Sequence, residues 1–357
     1  TKVGDLVFLM GHLSTDERQT EVVGKGDITT QTRRVFDLMR LTMEDAGGNL
    51  DDLVHLVIYT TNRDQIPKIG EVRREYFKGD WPTSSTIIAK SLSGPDFLIE
   101  IEGIAAISPN EIIRSSRLGD TPPRSRAIKA GNLVFFMGCV SVDPYGKVVG
   151  EGDIRAQTRR VFDRIAIALE DSGVTMEDLV HLTTFATDPS QLPIINEVKA
   201  EYLRGDWPSG ATVILPALGS PDHLLEIEGI ACIPQANVAK KTIRISRLGD
   251  SFPRARATQV GNLIFLMTHA PVNNQGQQVG TNDMYVQTKL CFEKMSITLQ
   301  EAGSSLNNLV QYTAYVTNIS KSEDFHRAKA EFFREDSPPG SLVEVAGLPR
   351  PEYLIEI

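Results

Sequence analysis

One segment recurs three times along this chain, and that recurrence decides most of what the chain can fold into. Gly4-Asp5-Leu6-Val7-Phe8-Leu9-Met10 returns as Gly131-Asn132-Leu133-Val134-Phe135-Phe136-Met137 and again as Gly261-Asn262-Leu263-Ile264-Phe265-Leu266-Met267. Gln31-Thr32-Arg33-Arg34-Val35-Phe36-Asp37 returns as Gln157-Thr158-Arg159-Arg160-Val161-Phe162-Asp163, and more loosely from Gln287 to Glu293. Gly79-Asp80-Trp81-Pro82 matches Gly205-Asp206-Trp207-Pro208, with Asp336-Ser337-Pro338 in the third slot. Leu98-Ile99-Glu100-Ile101 matches Leu224-Leu225-Glu226-Ile227 and Leu354-Ile355-Glu356-Ile357. The period is about 126 to 130 residues. Solenoid repeats run roughly 20–50 residues, so each copy here is a whole domain. The expected division is residues 1–110, 111–238 and 239–357. The first copy is expected to lack its first strand and the third to have its last strand cut short.

The second copy gives the unit. Arg126 to Lys129 reads as a short strand, Gly131-Asn132 as a turn, and Leu133 to Met137 as an apolar strand. Asp153 caps a helix on which Ile154, Val161, Ile165 and Leu169 recur at helical spacing, and Gly173 ends it. Leu179 to Ala186 is rich in β-formers, a second helix follows from about Leu192 to Leu203, and Ala211–Leu215 and Leu224–Ile233 are the last strands. The order is β-β-α-β-α-β-β, an α+β unit. Two helices cover one face of such a sheet, yet strands like Leu133–Met137 are apolar on both. The second face must also be buried. Three copies in one chain answer this with an intramolecular pseudo-trimer, sheets inward and helices outward. Ser108 to Asp120 and Pro234 to Asp250 are read as linkers. A monomer of this kind leaves room for further oligomerisation.

Composition narrows the partners. A net charge of -9 argues against nucleic acid, which needs a basic surface. No apolar run approaches the roughly 20 residues of a membrane span. Cys139, Cys232 and Cys291 sit at unrelated repeat positions, which fits a reducing cytoplasm rather than a disulfide framework. No spacing suggests a metal site or a phosphate loop, and no cofactor is expected.

The Gly-Asn-Leu-Val-Phe-Phe-Met-Gly strand, the Gly-Asp-Ile…Gln-Thr helix start and the terminal Leu-Glu-Ile-Glu-Gly-Ile-Ala resemble the Rid family, also called the YjgF family. The match covers nearly the whole chain, three times over. The resemblance implies a chorismate-mutase-like fold and clefts between trimer subunits. It also implies imine or enamine hydrolysis with release of ammonia, although other members are described as ribonucleases, chaperone-like or regulatory proteins. The family's deaminase branch places an arginine two residues after the proline that opens the fourth strand, where it holds a substrate carboxylate. Ser84, Gly210 and Gly340 stand there instead, and neither a hydroxyl nor a glycine replaces a bidentate guanidinium.

Other family positions keep their chemistry. The water-activating glutamate maps to Glu100, Glu226 and Glu356. The cleft position after the second strand becomes His12, Cys139 and His269, and the first-strand tyrosine becomes Arg124 and Arg254. The second-helix cleft position falls on Gly70, Asn196 and His326. Each has a plainer reading. The glutamates alternate with apolar residues, as on an exposed strand face. The histidines and Cys139 suit a structural interior. His55 and His181 are read as strand residues. Arg114, Arg117, Arg124, Arg126 and Arg244, Arg247, Arg254, Arg256 form matching sets that suit a solvated linker. The functional reading is a Rid-like hydrolase or deaminase acting on a small imine, enamine or cyclic-amide-like molecule, with an anionic group for the arginines to bind. Its catalytic set would be Glu100, Glu226, Glu356, His12, His269 and Cys139. Its binding set would be Arg124, Arg254, Ser84, Asn196 and His326. The alternative is a non-enzymatic binder or interaction scaffold.

Overall fold

The computed structural model describes residues 1–236, 238–250, 252–333 and 337–357. Asp336, the third counterpart of Asp80, lies outside the described residues. The first repeat runs β1 (Lys2–Val3), β2 (Leu6–Leu13), α1 (Ile28–Asp45), β3 (Leu53–Thr60), α2 (Ile66–Tyr76), β4 (Thr83–Ile88) and β5 (Ile99–Ala106). The second runs β6 (Asn110–Ile113), β7 (Ala127–Ala130), β8 (Leu133–Cys139), α3 (Ile154–Asp171), β9 (Leu179–Ala186), α4 (Leu192–Tyr202), β10 (Ser209–Ile214) and β11 (Leu225–Cys232). The third runs β12 (Lys240–Ile243), β13 (Ala257–Val260), β14 (Leu263–Leu266), α5 (Met284–Glu301), β15 (Tyr312–Val316), α6 (Ser322–Ala330), β16 (Gly340–Glu344) and β17 (Ile355–Glu356). Among the described residues, no helix is long and apolar enough to cross a membrane.

The strand orders are β1-β2-β5-β3-β4 and β10-β9-β11-β8-β7-β6, with the third repeat divided into β12-β13-β14 and β16-β15-β17. The strands on either side of α2, α4 and α6 pair in parallel, because a helix carries the chain back to start the next strand from the same end. The last strands of the first two repeats pair antiparallel inside the sheet, as β5 does between β2 and β3 and β11 between β9 and β8, while β17 pairs antiparallel with β15.

Two features depart from the sequence reading. The segments taken as linkers contain strands: β6 and β12 pair antiparallel with β7 and β13 and extend those sheets at the edge. The first repeat does hold a first strand, the two-residue β1, which pairs with Leu6 and Val7. In the third repeat β17 spans two residues where β5 and β11 span eight.

Conserved turns of the repeat have a physical cause visible in each copy. Asp27, Asp153 and Asp283 cap α1, α3 and α5 through backbone amides of the first turn. One turn on, Gln31 is fully buried; its amide donates to Gly24 O and Asp96 O, and its carbonyl accepts from Leu98 N at 2.9 Å. Gln157 and Gln287 repeat this with Asp222 and Leu224, and with Glu352 and Leu354. The glutamine thus fastens the first helix to the entrance of the last strand, which carries the glutamates.

Each sheet alternates its residues between two cores. On β3, Leu56 and Ile58 join the helix-side core of the first repeat with Val35, Phe36 and Met39. Val57 and Tyr59 join a core containing Phe185, Val213, Tyr315 and Val343, so all three repeats contribute to it. A second shared core gathers Phe8 and Val54, Phe135 and Val180, and Val260. Backbone pairing also crosses repeats, at Ile88 with Ala217, Ser91 with Glu344, and Ile214 with Gly347. Phe185→Ala removes a fully buried ring from the shared core. It should cost about 3–5 kcal/mol of stability, measured by urea unfolding. A loss below about 1 kcal/mol would show that the shared core contributes little.

Candidate functional site

The three glutamates of the last strand are buried where repeats meet. Glu100, Glu226 and Glu356 are 2, 7 and 4% exposed, so the exposed-strand-face reading does not describe them. The residues around them explain how three carboxyls fit at the repeat boundaries. A Cβ on Gly11 would lie 1.9 Å from Glu100 Oε1 and 2.5 Å from Ser341 Oγ of the third repeat. A Cβ on Gly138 would lie 1.8 Å from Glu226 Oε1 and 2.6 Å from Ser85 Oγ of the first. The glycine after each Met therefore makes room for a carboxyl beside a neighbouring repeat's hydroxyl. The third repeat inverts the pattern. Thr268 stands in the glycine position and its hydroxyl bonds Glu356, while the serine position is Ala211. The Thr268 amide still crosses the boundary, to Gly210 O at 3.0 Å.

Burial dominates the acidity of these groups. Glu100 is pushed up to about 8 by burial and then by Glu102, opposed by Ser341. Glu226 is pushed up to about 8 by burial and then by Glu228, opposed by Ser85. Glu356 reaches about 7 through burial, opposed by Thr268 and by the Lys294 charge. A carboxyl with that value holds and releases protons near neutrality, the range in which acid–base assistance is most effective. Glu100 Oε2 and Glu356 Oε2 have no partner among the described residues.

The eight matching arginines separate by their partners. Arg114 and Arg244 pair with Asp80 and Asp206. Arg117 pairs with Glu170 and Asp171, and Arg247 with Glu301. Arg126 and Arg256 pair with Asp120 and Asp250 in buried ion pairs. Only Arg124 and Arg254 of these eight have no carboxylate partner among the described residues. Beside them, Trp81 N and Trp207 N donate to Pro123 O and Pro253 O at 2.8 Å, so the Gly-Asp-Trp-Pro motif of one repeat holds the entry loop of the next.

A cavity of about 540 Å³ opens at the boundary of the second and third repeats. Its walls bring together Glu356, Thr268, Arg254, Asn196, Gly210 and Lys199. Lys294 also reaches it, held by Ala270 O and Val272 O. A larger cavity of about 650 Å³ lies among Glu102, Glu228, His181 and strands β14 and β15. The chemistry gathers in the smaller one.

Other expected site residues lie elsewhere. His12 has Nδ1 at 2.9 Å from Met10 O and Nε2 at 2.9 Å from Thr42 Oγ1 on α1. His269 is fully buried with Nε2 at 2.9 Å from Thr298 Oγ1 on α5. Burial lowers both, His269 well below its ordinary value. Cys139 stands at the equivalent strand position, fully buried with its thiol donating to Met137 O at 3.5 Å and pushed up by burial. The two His–Thr pairs tie strand to helix inside the first and third repeats. Ser84 accepts from Arg73 Nη1 at 2.8 Å, and His326 is exposed on α6. His55 bonds Thr83 and lies 3.4 Å from Glu228 Oε2, and burial lowers His181 to about 4.

The sequence reading missed a cation at one position of the second helix: Arg73, Lys199 and Lys329. Burial and Arg124 lower Arg73 to about 9; burial and Arg254 lower Lys199 to about 8. Aligning the repeats shows a basic residue there every time, three places after Gly70, Asn196 and His326. That signal was available.

The sequence pattern of the family described as Endoribonuclease L-PSP matches residues 1–107, 116–233 and 249–357, and the chain belongs to that family. It is 38% identical over 109 residues to a RutC family protein of Pyrococcus horikoshii, covering 30% of this chain and 86% of that one. It is 36% identical over 126 residues to the 3-aminoacrylate deaminase RutC of Acinetobacter baylyi, covering 34% of this chain and 98% of that one. A Rid-family structure from Yersinia pestis matches at 30% identity with TM-score 0.33, covering 35% of this chain and all of that one.

Two outcomes test the carboxyl environment. Gly138→Ala forces Glu226 from its place, and the loss should be about 1–3 kcal/mol in denaturant unfolding, the cost of unpairing a buried polar group. Unchanged stability would mean that the carboxyl moves freely. A raised carboxyl keeps its proton longer in the folded chain, so between about 4.5 and 8 the folded state binds more protons and stability falls as pH rises. Glu226→Gln should therefore flatten the decline in melting temperature between about pH 5 and pH 8 relative to the parent chain. An identical slope in both would place Glu226 in contact with solvent.

Proposed function

We propose that the three repeats form an intramolecular pseudo-trimer and that the boundary of the second and third is the working cleft of an imine or enamine hydrolase. The shared cores built from all three repeats support the arrangement. One observation carries the functional reading: a single cavity gathers Glu356, with an acidity near neutrality, and Arg254, which lacks a carboxylate partner among the described residues. The likeness to a 3-aminoacrylate deaminase supports an enamine bearing a carboxylate.

In this reading Arg254 binds the anionic group of the substrate, taking over from the strand arginine that Gly210 replaces. Protonated Glu356 gives its proton to the enamine carbon, or to the imine nitrogen, which makes the neighbouring carbon electrophilic. The carboxylate then takes a proton from water as its oxygen bonds that carbon. Glu356 returns the proton to nitrogen, the carbon–nitrogen bond breaks as the hydroxyl oxygen forms the carbonyl and gives its proton back to the Glu356 carboxylate, and ammonia leaves with a carbonyl product. Such proton transfers typically contribute about 10²–10⁴-fold.

Ammonia release from 3-aminoacrylate and from a freshly generated 2-imino acid tests this. Glu356→Gln should lower kcat at least about tenfold, whereas Arg254→Ala should chiefly raise KM. Full turnover in Glu356→Gln would remove the residue from the mechanism. No ammonia from any substrate, together with saturable binding of a small carboxylate by calorimetry, would favour the non-enzymatic binder, the reading that the absence of the strand arginine from all three repeats supports.

A further inference from the structure

The cations of the second helices occupy equivalent places, but their surroundings differ. Arg73 lies 4.6 Å from the Trp81 ring, Lys199 5.0 Å from Trp207 and Lys329 5.9 Å from Tyr312. Arg73 donates to Ser84 Oγ and to Pro82 O, both at 2.8 Å. Lys329 donates to Tyr312 Oη at 3.3 Å. Lys199 has neither partner, because Gly210 stands where the first repeat has Ser84, and Leu182 where the third has Tyr312. Among the described residues its nitrogen has no hydrogen-bond acceptor and no carboxylate.

An amine in that setting is a poor cation and a good nucleophile. Its charge is desolvated, its neighbour is the positive Arg254, and it opens onto the 540 Å³ cavity that Glu356 also lines. These are conditions that activate a lysine toward carbonyl carbon. With an acidity of about 8, roughly a quarter of the amine is neutral at about pH 7.5, against about one part in a thousand for an ordinary exposed lysine.

We propose that Lys199 forms a Schiff base with a small 2-oxo acid bound in the cavity between the second and third repeats. The carboxylate of the oxo acid faces Arg254. The Lys199 nitrogen lone pair bonds the carbonyl carbon, the C=O π pair moves to oxygen, and a proton passes from nitrogen to that oxygen. Glu356, as the carboxylic acid, protonates the resulting hydroxyl. The carbon–oxygen bond breaks, water leaves, and the remaining nitrogen pair completes the C=N bond of an iminium. One amine, one carbonyl and the proton from Glu356 become one iminium and one water, leaving Glu356 as the carboxylate, with no change of oxidation state. The inference rests on the cavity and on the solitary amine, not on ammonia release.

The test is reductive trapping of the full chain with pyruvate and cyanoborohydride at neutral pH, read by peptide mass mapping. One reduced adduct per chain is expected on the peptide bearing Lys199, forming about a hundredfold faster than on exposed lysines such as Lys2, Lys25 and Lys78, in line with the larger neutral fraction. Acetone, which has no carboxylate for Arg254, should label at least about tenfold more slowly. Lys199→Arg keeps the positive charge and should lose the adduct with an unchanged melting temperature. Labelling spread evenly over surface lysines, absence of any adduct, or an adduct that persists in Lys199→Arg would each overturn the proposal. Ammonia release measured on the parent chain separates the two readings: turnover without an adduct retires the lysine but keeps the hydrolase, and an adduct without turnover does the reverse.

Discussion

Everything in this chain follows from a sheet that is apolar on both faces and carries helices on only one. Phe36, Met39, Leu56 and Ile58 satisfy the helix side of the first repeat. Tyr59, Phe185 and Tyr315 satisfy the other side only by meeting one another. An isolated repeat would expose that second face to water at roughly 25 cal/mol for each Å² of apolar surface left bare. The boundary at which the repeats meet is thus a condition of folding before it is a place for chemistry. Buried carboxyls there come at an energetic cost, which neighbouring hydroxyls, Ser85, Ser341 and Thr268, offset in part, and burial raises the pKa of each carboxyl so that it keeps its proton to higher pH.

Much of this was legible in the sequence. The repeat, the element order of the second copy and the helix caps at Asp27, Asp153 and Asp283 follow from turn chemistry and periodicity. Strand β9 occupies Leu179–Ala186, the span its β-rich run predicts. The edge strands β6 and β12 were hidden because Asn110–Ile113 and Lys240–Ile243 sit in polar, charged surroundings, where pairing with a neighbour and not side-chain pattern makes the strand. Glu100 and Glu226 also resisted the pattern. Alternation of glutamate with isoleucine looks like a solvated face, and only a third layer of protein makes it an interior.

The site was half visible. Arg124 and Arg254 could be named from the sequence, but six similar arginines flanked them, and only the ion pairs of those six single out the two without a carboxylate. His12 and His269 had the right residue type in the right slot. Their rings are nevertheless engaged by Thr42 and Thr298 of their own helices. In the second repeat Cys139 and Ala168 stand at the two equivalent positions, so the residues change together, which no single-position reading reveals. Lys199 escaped because its meaning is relational: it matters through what Gly210 and Leu182 fail to offer it.

Joining the repeats covalently has a consequence for how such a residue can exist. In an assembly of three identical chains every substitution is written into every copy at once, so a half-buried amine without an acceptor would appear three times. Here Arg73 and Lys329 remain anchored within their own repeats by Ser84 and Tyr312, while Lys199 has no such partner among the described residues. The penalty of a solitary cation therefore enters the molecule once. Tandem duplication in this chain lets one copy of a position depart from the other two.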